Sequence, residues 1–318
     1  PRTGVHFDMD AAMIETDRQI NAKGITTAYR AVTNTWEPGL RSLATARLLV
    51  DALARVRPYL LADLRVQLRW EVFALEAVDQ IEAWLALDPT PTIAFNDHFS
   101  GMADKNSRTA RAIPSYAKRA GLSLADYHAL TARTAERADE VPDAIERLAK
   151  AAAAGGVRGF AHDEKDLDMR RRHRALGVTV SEFPLTRVVA EDVAAAGEHA
   201  ILGAPNIVRG GSHIGALDAE PAVREGLCTA LASDYYYPAL LAAAARLVGP
   251  DEDSFGFVWK HVAGNPASAA SLDDRGAIEV GRRADICAFA YGDGRARAEA
   301  TFKDGRLAFA SGYDRVAA

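Results

Sequence analysis

Val157-Arg-Gly-Phe-Ala-His-Asp-Glu-Lys-Asp-Leu-Asp-Met-Arg-Arg-Arg-His-Arg-Ala-Leu-Gly-Val-Thr-Val-Ser-Glu-Phe183 holds the architecture of the chain in miniature. A short β-rich run, Val157 to Ala161, ends in the polar triplet His162-Asp163-Glu164. A helical stretch follows, Lys165 to Ala175, and after Gly177 comes a second β-rich run, Val178 to Phe183. A strand, a helix and another strand in succession predict a parallel crossover. Working outward, the pattern recurs: Ile25 to Val32, Leu64 to Val72, Thr92 to Asp97, Ala200 to Leu202 and Leu227 to Ala232 are further strand candidates. Between them lie amphipathic or alanine-rich stretches at Ala11 to Ala22, Leu40 to Arg55, Leu75 to Leu87 and Pro238 to Leu247. The fold class implied is α/β, a distorted (β/α)₈ barrel with a small flanking β-sandwich.

Seven strand candidates are one short of a closed barrel, and Pro1-Arg-Thr-Gly-Val-His-Phe enters a helical pattern without an initiator methionine. We therefore expect an N-terminal portion, carrying the first strand, upstream of Pro1. The test is whether the strands at Leu227 to Ala232 and Ile25 to Val32 pair with each other. The longest interruption, Ala110 to Ala154, reads as an insertion of two helices split by Gly121, with Ser123 as an N-cap. Beyond Pro266 the texture turns to short alternating runs, with Asp304-Gly305 as a hairpin signal. Residues 1 to 266 are thus assigned to the barrel and 267 to 318 to part of a β-sandwich of four short strands.

Length and composition bound the function. The 318 residues, 49% of them hydrophobic and 25% charged, suffice for one large barrel domain and an appendage. A net charge of −5 leaves no basic surplus for a nucleic-acid backbone or an anionic membrane. No apolar stretch approaches the roughly 20 residues of a membrane span. The two cysteines, Cys228 and Cys287, make neither a disulfide framework nor a zinc knuckle, which fits a cytoplasmic protein.

In a parallel barrel the chemistry sits just past the strand ends. Standing there are Arg69-Trp70-Glu71, Asn96-Asp97-His98, His162-Asp163-Glu164, Glu182 and Ser233-Asp234. Imidazole and carboxylate are the ligands of zinc and similar divalent ions, and a catalytic site needs about three of them with one position open. Singly, each residue is as readily a cap, an ion-pair partner or a satisfied core histidine; their joint placement points to a metal. Asp234 follows a nearly uncharged run, so its carboxylate is expected at the edge of the core, where burial must be compensated. His6, His128, His173, His199 and His261 lie away from strand ends and read as structural or surface groups.

A second feature is Gly203-Ala-Pro-Asn206-Ile-Val-Arg209-Gly210-Gly211-Ser212-His213. Paired glycines are commonly just a loop, but beside Arg209, Ser212 and His213 they suggest close backbone approach, free N–H groups and a guanidinium fork. That is the chemistry of an oxyanion or phosphate cradle.

These residues carry a resemblance. Gly276-Ala-Ile-Glu-Val-Gly-Arg-Arg-Ala-Asp-Ile, preceded by Asn265-Pro-Ala-Ser-Ala-Ala-Ser-Leu, is similar to the C-terminal signature of the amidohydrolase superfamily. More narrowly, Gly203 to Gly215, with Ala232-Ser-Asp-Tyr after it and Glu182-Phe-Pro-Leu-Thr before it, resembles the PhnM family of phosphonate catabolism. The likeness runs from Pro1 to Gly312. It implies hydrolysis of α-D-ribose 1-methylphosphonate 5-triphosphate to the 5-phosphate and diphosphate. Departures from the family pattern are Asp97-His-Phe-Ser-Gly-Met where Asp-His-Thr-Pro-Gly-Gln is usual, His162-Asp-Glu164 where His-Asp-Asp is usual, and no first-strand His-X-His before Pro1.

The expected site therefore has Glu71, His98, His162, Glu182 and Asp234 around one or two divalent ions, zinc foremost, with Asp234 also taking a proton from the attacking water. Asn206, Arg209, Gly210, Gly211, Ser212 and His213 would meet the phosphates. The implied partner is a small phosphorylated sugar, without nucleic acid or membrane; homo-oligomerisation is left open. Competing readings are cleavage of a cyclic or N-acyl amide on the same fold, and an inactive fragment or partner-binding subunit.

Overall fold

The computed structural model describes residues 8–102, 107–212, 215–249, 252–292 and 294–312. Seven strands, β1 (Thr27–Asn34), β2 (Asp63–Glu71), β3 (Thr92–Asn96), β4 (Arg158–His162), β5 (Val180–Glu182), β6 (His199–Gly203) and β7 (Ala230–Ala232), lie side by side in chain order. All six pairings are parallel. Parallel neighbours need crossovers, and helices supply them: α1 (Met9–Asn21) before β1, α2 (Leu43–Val56), α3 (Val78–Trp84), α4 (Arg108–Ala120), α5 (Leu124–Ala135), α6 (Val141–Ala154), α7 (Leu167–Ala175), α8 (Arg187–Ala195), α9 (Ala204–Arg209) and α10 (Ala219–Arg224). After β7 come α11 (Ala239–Val248), α12 (Phe255–Trp259) and α13 (Gly264–Ala269). No helix among the described residues is long and apolar enough to cross a membrane.

The sheet is curled into a half-barrel. Strands in a flat sheet sit about 4.8 Å apart, which would separate β2 from β5 by roughly 14 Å. Yet Gln67 of β2 donates to Glu182 of β5 at 3.0 Å, and Arg69 of β2 touches His162 of β4 at 2.5 Å. Such contacts require the inner face to be concave. β1 and β7 are the opposite edges and do not pair with each other among the described residues. A large apolar cluster between the sheet and α1, α2, α3 and α6, built on Leu53, Leu64, Leu68, Trp70, Ile81, Ile93 and Leu148, holds the curve from outside.

Local chemistry starts and stops the helices. The Ser42, Ser107, Ser123 and Asp166 side chains accept from backbone N–H groups three residues on. Gly121 closes α4 in the left-handed region at φ 70°. The insertion after β3 holds three helices, not the expected two: the stretch after Gly121 breaks again at the 3₁₀ turn Ala138–Glu140, and Pro142, tolerated in a first helical turn, opens α6.

A separate antiparallel sheet, β8 (Ile286–Gly292), β9 (Arg295–Lys303) and β10 (Arg306–Ala310), has the order β10-β9-β8. Asp304 and Gly305, at φ 55° and 74°, make the hairpin that the Asp-Gly pair predicted. Among the described residues three strands form, not four. The segment expected to be the fourth is tethered by side chains instead, Arg275 donating to Thr27 Oγ1 and Asp63 Oδ2 at 2.7 Å, and Ile278 and Val280 are exposed. Helix α13 straddles residue 266, the expected boundary between the two parts.

Candidate functional site

The polar residues at the ends of β2, β3, β4 and β5 meet on the concave face. His98 follows β3 and His162 ends β4; their ring centroids are 5.9 Å apart. Asp163 lies between them, Oδ2 3.4 Å from Nε2 of His98 and Oδ1 3.7 Å from Nε2 of His162. Ligand-capable atoms of His98, His162 and Asp163 all lie within 4.8 Å of one another.

Behind each imidazole stands a buried glutamate. Glu71, the last residue of β2, has Oε1 2.5 Å from Nδ1 of His98 and accepts the His98 backbone N–H on Oε2 at 3.2 Å. Glu182, the last residue of β5, has Oε2 2.9 Å from Nδ1 of His162, and its Oε1 accepts from Gln67. Expected as ligands, both glutamates have both oxygens engaged within the protein, one of each against an imidazole Nδ1, the usual support of a metal-binding histidine.

Asp163 was not singled out in the sequence, although it stands in the quoted triplet. Its φ of 57° is in the left-handed region, as are Phe183 at 58° and Asp234 at 51°, so three strand ends share an uncommon backbone conformation. In Asp163 the turn swings the carboxylate between the two histidines. Its neighbour Glu164 goes the other way: wholly buried, it accepts from Arg170 and His173 at 2.9 Å and from Ser181 at 2.5 Å. His173 is accordingly a buried structural group. Asp97 caps the next turn through Ser100 N–H at 2.9 Å.

The electrostatics suit a cation. Burial alone would lower the pKa of His98, but Glu71 and Asp163 outweigh it and raise it to about 10. Burial would raise Asp163, yet His162, His98 and Arg69 hold it down at about 2. Two Nε2 atoms and a carboxylate form a donor set of the kind zinc and similar divalent ions take. A divalent ion there would displace a proton from His98, so these residues fit a metal.

The other expected groups are placed differently. Asp234, two residues beyond β7, is exposed, so the desolvation expected of it is not found, and it stands outside the group of three. The glycine pair is not a cradle of free N–H groups. Gly210, at φ 85°, ends α9, and the N–H groups of Gly210 and Gly211 both donate to Asn206 O, at 3.1 and 2.8 Å. Ser212 N–H donates to Asp218 Oδ1 at 2.7 Å. A helix C-terminus and a carboxylate thus occupy the place where an anion was expected, and both are negative. Arg209 is exposed; His213 lies outside the described residues.

No family model matches the chain. The α-D-ribose 1-methylphosphonate 5-triphosphate diphosphatase of Escherichia coli (strain K12) is 30% identical over 321 residues, spanning 97% of this chain and 83% of that protein. Among solved structures, a triazine hydrolase variant has a TM-score of 0.57 at 14% identity over 97% of this chain and 75% of its own. An adenosine deaminase from Xanthomonas campestris with bound zinc has a TM-score of 0.55 at 10% identity, over 95% of this chain and 70% of its own. A D-hydantoinase from Bacillus sp. AR9 reaches 0.50 at 11% identity, over 98% and 83%. At these identities the solved structures share the fold.

Proposed function

We propose, on the premise that this chain belongs to the PhnM family within the amidohydrolase superfamily, that it hydrolyses a ribosyl 5-triphosphate of the 1-methylphosphonate class to the 5-phosphate and diphosphate. Membership makes the chain a hydrolase of that superfamily. The observation that supports the finer reading is the 30% identity to the Escherichia coli diphosphatase across nearly the whole chain. The His98, His162 and Asp163 group supports metal dependence.

One water is consumed and one P–O–P bond breaks, with diphosphate as the leaving group. A divalent ion, for which we propose zinc, would supply a Lewis acid for a phosphoryl oxygen and make water more acidic. His98 and His162, through Nε2, and Asp163 would hold it. Glu71 and Glu182 fix which imidazole nitrogen faces the site and strengthen its basicity. Asp234, exposed at the rim, is proposed to take the proton that the attacking water loses.

The test is an assay of diphosphate release from the ribosyl triphosphate by the zinc-loaded protein, beside ring-opening assays on cyclic amides. Diphosphate release that Asp234→Asn lowers by about 10²-fold or more is the expected outcome. Ring-opening without diphosphate release would overturn the substrate proposal.

A further inference from the structure

A triphosphate needs several cationic donors, and the amides of Gly210, Gly211 and Ser212 are already bonded within the chain. Three guanidinium groups stand on the other side of the site. Arg69 lies on the inner face of β2, which it shares with Gln67 and Glu71. Its Nη2 is 2.5 Å from Nε2 of His162, and its Nε is buried with no partner among the described residues. Arg119, in the last turn of α4, pairs with Glu37 at 2.5 Å. Arg41 ends the 3₁₀ turn Gly39–Arg41 just beyond β1, where its carbonyl accepts from Thr35 N–H at 2.8 Å.

Arg41 is the odd one. Its half-buried guanidinium has no hydrogen bond or ion pair among the described residues. It lies within electrostatic reach of Arg119 and Arg69 as like charges and of Glu37 and Glu71 as opposite ones; burial first, and then the two cations, hold its pKa below the ordinary arginine value. Neither carboxylate is available to it. Glu37 is taken by Arg119 and by Tyr127 Oη at 2.6 Å, and Glu71 by His98. The Arg41 charge is therefore left without a bonded carboxylate near the metal-ligating group, where partial removal from water makes it costly unless an anion offsets it.

We propose that Arg41, Arg69 and Arg119 form the anion site that binds the phosphate chain of the substrate. The inference rests on the diphosphatase reading for the identity of its ligand. A phosphate bonded to Arg69 abuts His162 and so the metal-ligating group, while Arg41 and Arg119 extend the positive charge toward the β1 loop and α4. Guanidinium forks match successive phosphates by bidentate bonding.

The test is calorimetric binding of inorganic diphosphate to the metal-loaded protein, which needs no turnover. Arg41→Met should weaken binding by roughly tenfold or more, the size of one lost charge-assisted bond. Arg41→Lys should fall between it and the native protein, having charge without the fork. Arg295→Lys, exposed on the small sheet, should bind as the native protein does. Because the Arg41 side chain has no bonded partner among the described residues, its variants should keep the native circular dichroism. Native affinity in both Arg41 variants, a loss that follows Arg209→Lys instead, or no diphosphate binding by the native protein would each overturn the proposal. Arg41-dependent diphosphate binding without triphosphate cleavage would leave the anion site standing and sink the substrate reading alone.

Discussion

The Nδ1 of His162 lies 2.9 Å from Oε2 of Glu182, whose second oxygen accepts from Gln67 at 3.0 Å. Glu182 is buried with both oxygens engaged, so we propose that it would act on a metal through the imidazole. Glu182→Gln should weaken metal affinity by roughly 10–100-fold, the usual cost of losing such support. Competition against a chromophoric chelator measures this. Complete loss of binding would make Glu182 a direct ligand.

Removal of the metal should abolish activity and leave the fold intact. The side chains around the group are paired among themselves, His98 with Glu71 and His162 with Glu182. Chelation should therefore leave far-ultraviolet circular dichroism unchanged, and Asp163→Asn should mimic chelation in both readouts. A cooperative loss of structure on chelation would show that the ion holds the barrel together.

Glu164 and Arg170 form an ion pair with both side chains at 0% exposure. Glu164→Gln leaves the buried Arg170 with only the Glu198 carboxylate, at 3.8 Å, and the Val178 carbonyl, which should cost about 3 kcal/mol. Denaturant unfolding reads this as a lower midpoint at unchanged slope. Asp168→Asn, which breaks the exposed pair with Arg171, should move the midpoint little.

Asp63 contributes to the acid limb of stability. Burial would raise its pKa, but bonding to Arg275 and the charge of Arg65 outweigh that and hold it below the ordinary value. A depressed folded pKa contributes stability that is present above the unfolded value, about 3.9, and is lost as pH falls through the folded one. Asp63→Asn should therefore be less stable than the native protein near neutrality, and the gap should narrow as pH falls below about 4. A constant gap across that range would contradict the assignment.

Strand and helix alternation was legible in the sequence because it rests on local properties, short β-rich runs separated by helical stretches. The seven strands stand where those runs predicted them, within a few residues at their ends. The ends of β2 to β5 were legible for the same reason, since a polar residue closing an apolar strand is visible without the fold. What each polar group touches was decided by the curl of the sheet. It brings Gln67 to Glu182 across 115 residues and Arg69 to His162 across 93. The pairing of neighbouring strands, in turn, set Glu71 and Glu182, both expected as ligands, against the Nδ1 atoms of His98 and His162. Asp163 joined the group through a left-handed backbone angle that one residue name does not reveal. At Gly210-Gly211 the composition suited either an anion cradle or a helix end, and the choice depended on where the amides point: to Asn206, because α9 forms ahead of them. Arg41, Arg69 and Arg119 come from a turn, a strand and an inserted helix. Only packing, acting over distances along the chain that no local pattern records, puts their charges together.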